Sequence, residues 1–266
     1  MSKNLPKPAA ASPPLICLWP ERLLFIGPLG KVAPHRHAAV VLVAALEGEV
    51  RMRLSASGRW RCCSSLLIPA GLMHELDLDG GLTAVFYNDP HRPYHPLMSS
   101  RDRQEALFDP LANSAAVDAL AALHAGTPSI RLADCQHLER ELAAALGSYD
   151  RRPALDPRVG EAIASMQADL AANLPLPAMA AAAGISASRL QHLFLAETGV
   201  PLRRFRIWLR FRRALERIGA GASLTTAALD AGFASSTHFS HAFKAMFGVS
   251  PASVLANART PRIHLL

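Results

Sequence analysis

Three histidines in the first third of the sequence have the chemistry of a metal site. His35 and His37 are separated by one residue, and His74 ends the segment 69–74. Side chains alternate along a β-strand, so we expect His35 and His37 on one face, with His74 opposite them. Three converging imidazoles suit Zn, Fe, Ni or Cu. In the alternative, they line a pocket without metal or pair with nearby carboxylates, namely Glu47, Glu49 or Glu75.

A second group of side chains is suited to nucleic acid. They lie in two predicted helices of the last third of the chain, and most of them are short hydrogen-bond donors and acceptors that can reach base edges and phosphates. The residues are Ser188, Arg189, Gln191 and His192 in the first helix, and Ser236, Thr237, His238, Ser240 and His241 in the second.

An arginine-rich segment, Pro201–Ile218, lies between these two helices. As an 18-residue helix it would span about 27 Å. That length could hold two recognition helices near the ~34 Å spacing of successive major grooves on one duplex face. The segment carries seven arginines, of which we expect Arg210 to contact DNA and the others to be divided between phosphate contacts, structural roles and solvent.

The distribution of charge also indicates a polyanionic partner. The chain has 28 Lys+Arg and 21 Asp+Glu, a net charge of +7. Residues 1–156 are neutral, whereas residues 157–266 hold 12 basic and 5 acidic side chains. With 50% apolar and 18% charged residues, a disordered chain is excluded. A neutral half that senses or assembles, joined to a basic half that binds a polyanion, fits these numbers.

Several other classes of protein are disfavoured. The longest apolar run, Ala38–Leu46, is far shorter than the ~20 residues of a membrane span. The first 20 residues contain five prolines where a secretion signal needs an apolar helix. Four cysteines, two of them adjacent, do not form a disulfide framework. We therefore expect a cytoplasmic protein.

Two kinds of element must position these residues. Residues 1–20 are predicted to be a flexible arm, and residues 21–98 contain short strands separated by glycine-containing turns, typical of a small barrel or a double-sheet jelly roll. The strand candidates are Leu23–Ile26, Val40–Leu46, Glu49–Leu54, Trp60–Cys63, Leu66–Ile68 and Leu82–Tyr87. Residues 99–152 have helical periodicity at Asp102–Leu107, Ala115–Leu123 and Leu132–Leu146.

From residue 153 onward the sequence repeats one helical pattern twice. A short alanine-rich helix ends at a glycine (Gly184, Gly232), and a serine then caps the next helix (Ser186, Ser235). An apolar anchor follows four residues after each cap and an aromatic residue four later: Leu190 and Phe194, then Phe239 and Phe243. This pattern is typical of a helix-turn-helix unit.

These residues resemble the AraC/XylS transcription regulators. The resemblance covers about 100 C-terminal residues, from Leu176 through both repeats to the segment Phe247–Pro251. It implies a bipartite DNA-binding domain over residues 153–258, with base contacts at the polar positions named above. One departure concerns His192 and His241, because many members have arginine there and a neutral imidazole is a weaker contact to phosphate or guanine.

The resemblance also implies an α+β protein of two domains. Its N-terminal domain would be a cupin-like barrel or jelly roll that senses a small-molecule effector, and residues 99–152 would be a dimerisation segment. The implied partners are double-stranded DNA, a homodimeric copy and RNA polymerase, as for an activator. The glutamate usual in metal-binding cupins is replaced by Val40 or Val41, so a divalent metal stays an open alternative.

Two other functions remain to be weighed. A metal-dependent cupin enzyme would need an open coordination site and an acid or base, and both the missing glutamate and the basic repeats argue for a regulator that is not an enzyme. In the other alternative, the cupin domain serves only for assembly. An anionic or aromatic effector could also use the exposed-strand residues Arg51, Arg53, Arg59, Trp60 and Arg61.

Overall fold

Short strands, most of them buried at nearly every residue, build two β-sheets in the N-terminal half of the protein. The computed structural model describes residues 13–89, 91, 105–126, 129–146, 155–170, 173–255 and 261–266. The strands of this half are β1 (Leu15–Trp19), β2 (Arg22–Pro28), β3 (Lys31–His35), β4 (Val40–Ala45), β5 (Val50–Arg53), β6 (Arg61–Cys63), β7 (Ser65–Ile68), β8 (His74–Asp77), β9 (Leu82–Asn88) and β10 (Leu107–Phe108).

The two sheets remain separate. One has the strand order β10-β7-β4-β9-β2-β1-β11, where β11 (Arg262–Leu265) comes from the C-terminus, and the other has the order β3-β8-β5-β6. Of the two architectures expected from the sequence, the double sheet is the one formed, and the sheets do not close into a barrel. The α+β class with a sheet-rich N-terminal half and a helical C-terminal half is confirmed.

The helices follow the strands. Two belong to the middle segment, α1 (Ala115–Ala125) and α2 (Leu132–Leu146). The C-terminal half contains α3 (Pro157–Ala168), α4 (Leu176–Ala182), α5 (Ala187–Thr198), α6 (Leu202–Gly219), α7 (Leu224–Asp230), α8 (Ser236–Phe247) and α9 (Pro251–Leu255). Among the described residues, no helix combines the length and the apolar composition that crossing a membrane requires.

Some sequence predictions were wrong. The flexible arm over residues 1–20 is too long, because β1 is fully buried and paired on both sides. The predicted helix Asp102–Leu107 lies partly outside the described residues, and its end Leu107 belongs to β10 instead. The domain boundary expected between residues 152 and 153 lies outside the described residues.

The two halves share one continuous core. Trp208 in α6 is 1% exposed, packs on Tyr87 of β9 and donates its indole N–H to the buried Asp89 carboxylate. Arg212, one turn later, lies 3.4 Å from the same carboxylate and donates to the Trp19 carbonyl. The longest helix of the basic half is therefore fixed directly to the larger sheet.

Candidate DNA interface and interdomain pocket

Local sequence signals build the first helix-turn-helix unit from α4 and α5. Gly184 has a φ of +66°, in the left-handed region, so the chain can turn sharply after α4. The Ser186 hydroxyl then accepts a hydrogen bond from the Arg189 N–H and caps α5. Leu190 and Phe194 are fully buried, which fixes the opposite face of α5 toward solvent.

The second unit, α7 and α8, repeats this construction. Gly232 has a φ of +85°, and the Ser235 side chain accepts from the His238 N–H to cap α8. Phe239 and Phe243 are buried and both pack against Phe211 of α6. The connector helix α6 thus forms the core on which the second unit rests.

Most of the predicted DNA-contacting residues lie on the surface. Ser188, Arg189, Gln191 and His192 are exposed on α5, as are Thr237, His238 and His241 on α8, while Ser236 and Ser240 are half-buried. The Ser240 hydroxyl donates to the Ser236 carbonyl. The structure therefore presents two polar helix faces, one from each unit.

An apolar pocket lies where the second unit meets the sheets. The sheet side includes Phe25, Val43 and Leu76, and the helical side includes Phe243 and Phe247. The cavity volume is about 70 Å³, room for only a few atoms beside the 300–1,000 Å³ of typical ligand sites. Its polar wall is formed by His35, His37 and Tyr87.

The three predicted histidines meet at this wall. His35 and His74 are directly paired across β3 and β8, and the His35 Nε2 atom lies 2.9 Å from His37 Nε2. One ring nitrogen of each of the three lies within 4.8 Å of the others, and all three side chains are buried. The structure thus brings the three histidines together, as the sequence predicts.

Burial keeps these imidazoles neutral. Desolvation lowers the pKa of His35 to about 4 and that of His74 to about 3, although each ring also donates Nδ1–H to a backbone carbonyl. Desolvation and the neighbouring His35 hold the pKa of His37 well below its ordinary value. Among the described residues, no carboxylate joins the cluster.

Comparison with known proteins agrees with these features. Residues 179–257 match the helix-turn-helix domain family. ToxT from Vibrio cholerae O395 has a TM-score of 0.57 and 13% identity, covering 88% of this chain and 96% of that chain. Wild-type ToxT from Vibrio cholerae strain SCE256 with an unsaturated fatty acid bound has a TM-score of 0.55 and 14% identity, covering 87% and 94%.

A transcriptional regulator from Chromobacterium violaceum, described as containing an AraC-type DNA-binding domain, is 28% identical over 38% of this chain and 90% of that chain, with a TM-score of 0.35. No curated protein is significantly similar to this chain. The C-terminal part of the chain is an AraC-type helix-turn-helix domain.

Arg210 does not fit its expected place on the surface of this AraC-type domain. Its side chain is 7% exposed, and its guanidinium donates two hydrogen bonds to the Leu170 carbonyl. Since α6 is the core of the domain, an arginine on its inner face must hold structure and cannot reach a phosphate. We correct that prediction and remove Arg210 from the DNA contacts.

Other connector arginines also have structural partners. Arg206 donates to the Asn173 side chain and the Leu174 carbonyl, and Arg217 pairs with Asp230 at 2.8 Å. The charge excess of the AraC-type domain is thus largely a scaffold that links helices, and the exposed polar faces of α5 and α8 are mostly uncharged.

The close contact between the AraC-type domain and the sheets was missed by sequence reasoning. Gly248 ends α8 with a φ of +71°, and a Cβ atom there would lie 2.6 Å from both the Ala33 carbonyl oxygen and His35 Nδ1. The Gly248 carbonyl accepts from the Ala33 N–H. The left-handed glycine was predictable as a helix end, but its partner strand lies more than 200 residues earlier.

The exposed-strand arginines do not line the pocket. Arg53 pairs with Glu75 at 2.6 Å and stacks on Trp60, and Arg51 pairs with Asp77. Arg61 lies 3.5 Å from the centre of the Phe108 ring. These side chains stabilise the outer face of the smaller sheet, and the effector site they suggested is not formed by the described residues.

Proposed function

We propose that this protein is a sequence-specific DNA-binding transcription regulator whose N-terminal domain binds an amphipathic small-molecule effector. The observation that carries the proposal is the shared pocket. Its walls come from both sheets and from the helix-turn-helix unit that contains the α8 reading face. An occupant of the pocket therefore contacts the sensing and the DNA-binding parts at once.

The pocket chemistry supports an amphipathic occupant. Its lining is almost entirely aliphatic and aromatic, with its polar groups, His35, His37 and Tyr87, gathered together. ToxT, which shares the fold, has been solved with an unsaturated fatty acid bound. We propose a ligand of that chemical kind, with an apolar body and one polar end.

Binding must also move the walls. A ligand larger than the 70 Å³ cavity needs Phe243 and Phe247 to shift, because interiors are close-packed. Both side chains belong to α8, so the shift changes how α8 sits on β3. Effector binding is thereby linked to the geometry of the second unit relative to the first.

DNA binding is tested by footprinting the full chain on genomic fragments. We expect a protected site of about 20 bp, since two recognition helices read two successive major grooves, and an affinity that falls steeply with salt. Equal affinity for random duplex DNA would contradict sequence-specific regulation.

Effector binding is tested by thermal unfolding of the full chain with a long-chain unsaturated fatty acid. We expect a rise in Tm with the wild-type protein and a much smaller rise with Val43→Trp, which fills the pocket. The control is Leu54→Trp, at an exposed position just after β5 and outside the pocket. Identical shifts for all three proteins would remove the fatty acid from this site.

The homodimer and the contact with RNA polymerase, both implied by the family resemblance, stay predictions. Light scattering of the purified chain with and without its DNA site checks the homodimer, for which α1 and α2 remain the proposed interface. A monomer at all concentrations in both conditions would contradict it.

A further inference from the structure

The structure assigns a divalent transition-metal site to His35, His37 and His74, with one coordination position facing the apolar pocket. The inference does not depend on the proposed DNA target or on the fatty-acid-like effector. It rests on where the lone pairs of three buried rings are directed.

Backbone hydrogen bonds fix two of the rings. His35 Nδ1 donates to the Ala33 carbonyl at 2.8 Å, and His74 Nδ1 donates to the Leu72 carbonyl at 2.9 Å. A carbonyl can only accept, so the proton of each neutral ring is on Nδ1 and the Nε2 atom carries a lone pair. This is the arrangement in which metal-binding histidines are usually held.

The remaining lone pairs are not satisfied by the described protein groups. His74 Nε2 and His37 Nδ1 are both buried without a hydrogen-bond partner among the described residues. His35 Nε2 and His37 Nε2 lie 2.9 Å apart, so without a metal ion a proton supplied by His37 must lie between them. A cation takes the place of that proton: His37 then coordinates through Nε2 and carries its own proton on Nδ1, toward the Met246 backbone. Orphaned buried acceptors such as His74 Nε2 are uncommon in proteins, and the same cation would satisfy it.

The spacing is compatible with a metal ion. A tetrahedral zinc ion with Zn–N bonds of about 2.0–2.1 Å keeps its nitrogen ligands roughly 3.4 Å apart. The observed 2.9 Å between two Nε2 atoms and the 4.8 Å limit for the set bracket that value, so small ring rotations are sufficient. Neutral imidazoles select Zn²⁺, Co²⁺, Ni²⁺ or Fe²⁺ over Mg²⁺ and Ca²⁺.

Three protein ligands leave a fourth position. Among the described residues no carboxylate joins the cluster, and Val40 and Val41 of β4, where the cupin resemblance would place a glutamate, are buried and apolar. Because His35 and His37 line the pocket, the open position faces it. Water or the polar end of a pocket ligand can bind there.

The test uses the full-length chain without an affinity tag, stripped with a chelator and titrated with Co²⁺. We expect one equivalent to bind with the visible absorption of a four-coordinate site and to be displaced by Zn²⁺. Zn²⁺ at a hundredfold excess over its Kd should raise Tm by roughly 5–10 °C. A wild-type protein that binds no Co²⁺ or Zn²⁺ at micromolar concentrations overturns the site.

Variants locate the ion. His74→Gln should lower the affinity for Co²⁺ at least about a hundredfold, whereas His137→Gln on the exposed surface of α2 should leave it unchanged. If His74→Gln does not fold, X-ray absorption of the wild-type Zn²⁺ complex decides: a shell of three imidazole nitrogens at about 2.0–2.1 Å supports the site. Equal loss in both variants, or a shell without three imidazoles, overturns it.

Discussion

Two histidines on the exposed polar faces of α5 and α8 are held in opposite tautomers. His192 Nδ1 donates to the Ser188 carbonyl at 2.8 Å, so a neutral ring leaves Nε2 as an acceptor. His238 Nδ1 instead accepts from the Ala234 N–H, which leaves Nε2–H as a donor. Cytosine and adenine present amino donors in the major groove and guanine presents acceptors, so we predict that the two units read different bases.

Gln191 lies next to His192 on α5, and we expect it to read one base pair. A glutamine amide can both donate to and accept from adenine, a contact worth about 1–3 kcal/mol of discrimination. Gln191→Ala should therefore relax base preference at one position of the site and leave the rest unchanged, as measured by binding to a library of single-base variants. Gln167→Ala, an exposed glutamine of α3, is the matched control, and an identical specificity profile for both variants would contradict the assignment.

Asp89 should give the folded protein a specific pH dependence. Burial raises the pKa of its carboxyl above the ordinary value, although Arg212 opposes the shift. As pH rises, the unfolded chain loses this proton first, at its ordinary pKa near 3.8, while the folded protein still holds it. Between the ordinary and the raised pKa, this group therefore lowers the free energy of unfolding with increasing pH.

Asp89→Asn cannot ionise and should remove that slope. Denaturant unfolding of the wild type and the variant across the acidic range gives the free energy of unfolding of each. The difference between the two free energies should change with pH only between the ordinary and the raised pKa of Asp89. Asp118→Asn, on the exposed face of α1, should give a curve parallel to the wild type. A constant difference for Asp89→Asn would refute the buried-acid assignment.

At the scale of elements, the C-terminal strand fastens the basic half to the sheet. β11 pairs in parallel with β1, and Gly219 of α6 lies so close that a Cβ atom would be 2.8 Å from Ile263 Cγ2. Deleting residues 262–266 should expose the edge of β1, and hydrogen exchange should report faster exchange of the β1 amides that bond to β11. Amides of β10, at the other edge, are the internal control; unchanged β1 protection would argue against a fastening role.

The elements differ in how far the sequence predicts them. Six strands and the helices α1, α2 and α4 to α8 follow from apolar segments between turn glycines, helical periodicity and serine caps, all of which are local signals. β1, β8 and β11 were missed because these short segments, of which only β1 is an apolar run, become strands only through their pairing partners. The prediction that Arg210 contacts DNA was wrong for the same reason, because helical periodicity does not show which arginine faces a neighbouring carbonyl.

At the scale of the whole molecule, Gly248 is a contact between the two halves that a methyl group would break. Gly248→Ala adds left-handed strain of about 1–2 kcal/mol and a clash with β3. Gly184→Ala carries the same strain, because its φ is +66°, with no atom within 4 Å of the added Cβ. The difference in unfolding free energy between these variants isolates the interdomain contact, and we expect Gly248→Ala to be the less stable; equal values would mean that the contact contributes nothing.

If the pocket links effector binding to DNA binding, the two ligands must affect each other's affinity equally. If a fatty acid in the pocket changes the affinity for the DNA site by some factor, DNA must change the affinity for the fatty acid by the same factor. Phe247→Ala should reduce both factors equally, because the Phe247 ring lines the pocket and packs on Tyr87 of β9. The control, Leu195→Ala at an exposed position of α5, should change neither factor.

Titrations of each partner with the other absent and present at saturation give the two factors. The factor measured for DNA and the factor measured for the fatty acid must be equal. A Phe247→Ala protein that kept full coupling, with both affinities intact, would show that the signal does not pass through α8. Coupling that vanished while fatty-acid affinity stayed within a few fold would instead identify this single ring as the contact through which an occupied pocket moves the second reading helix.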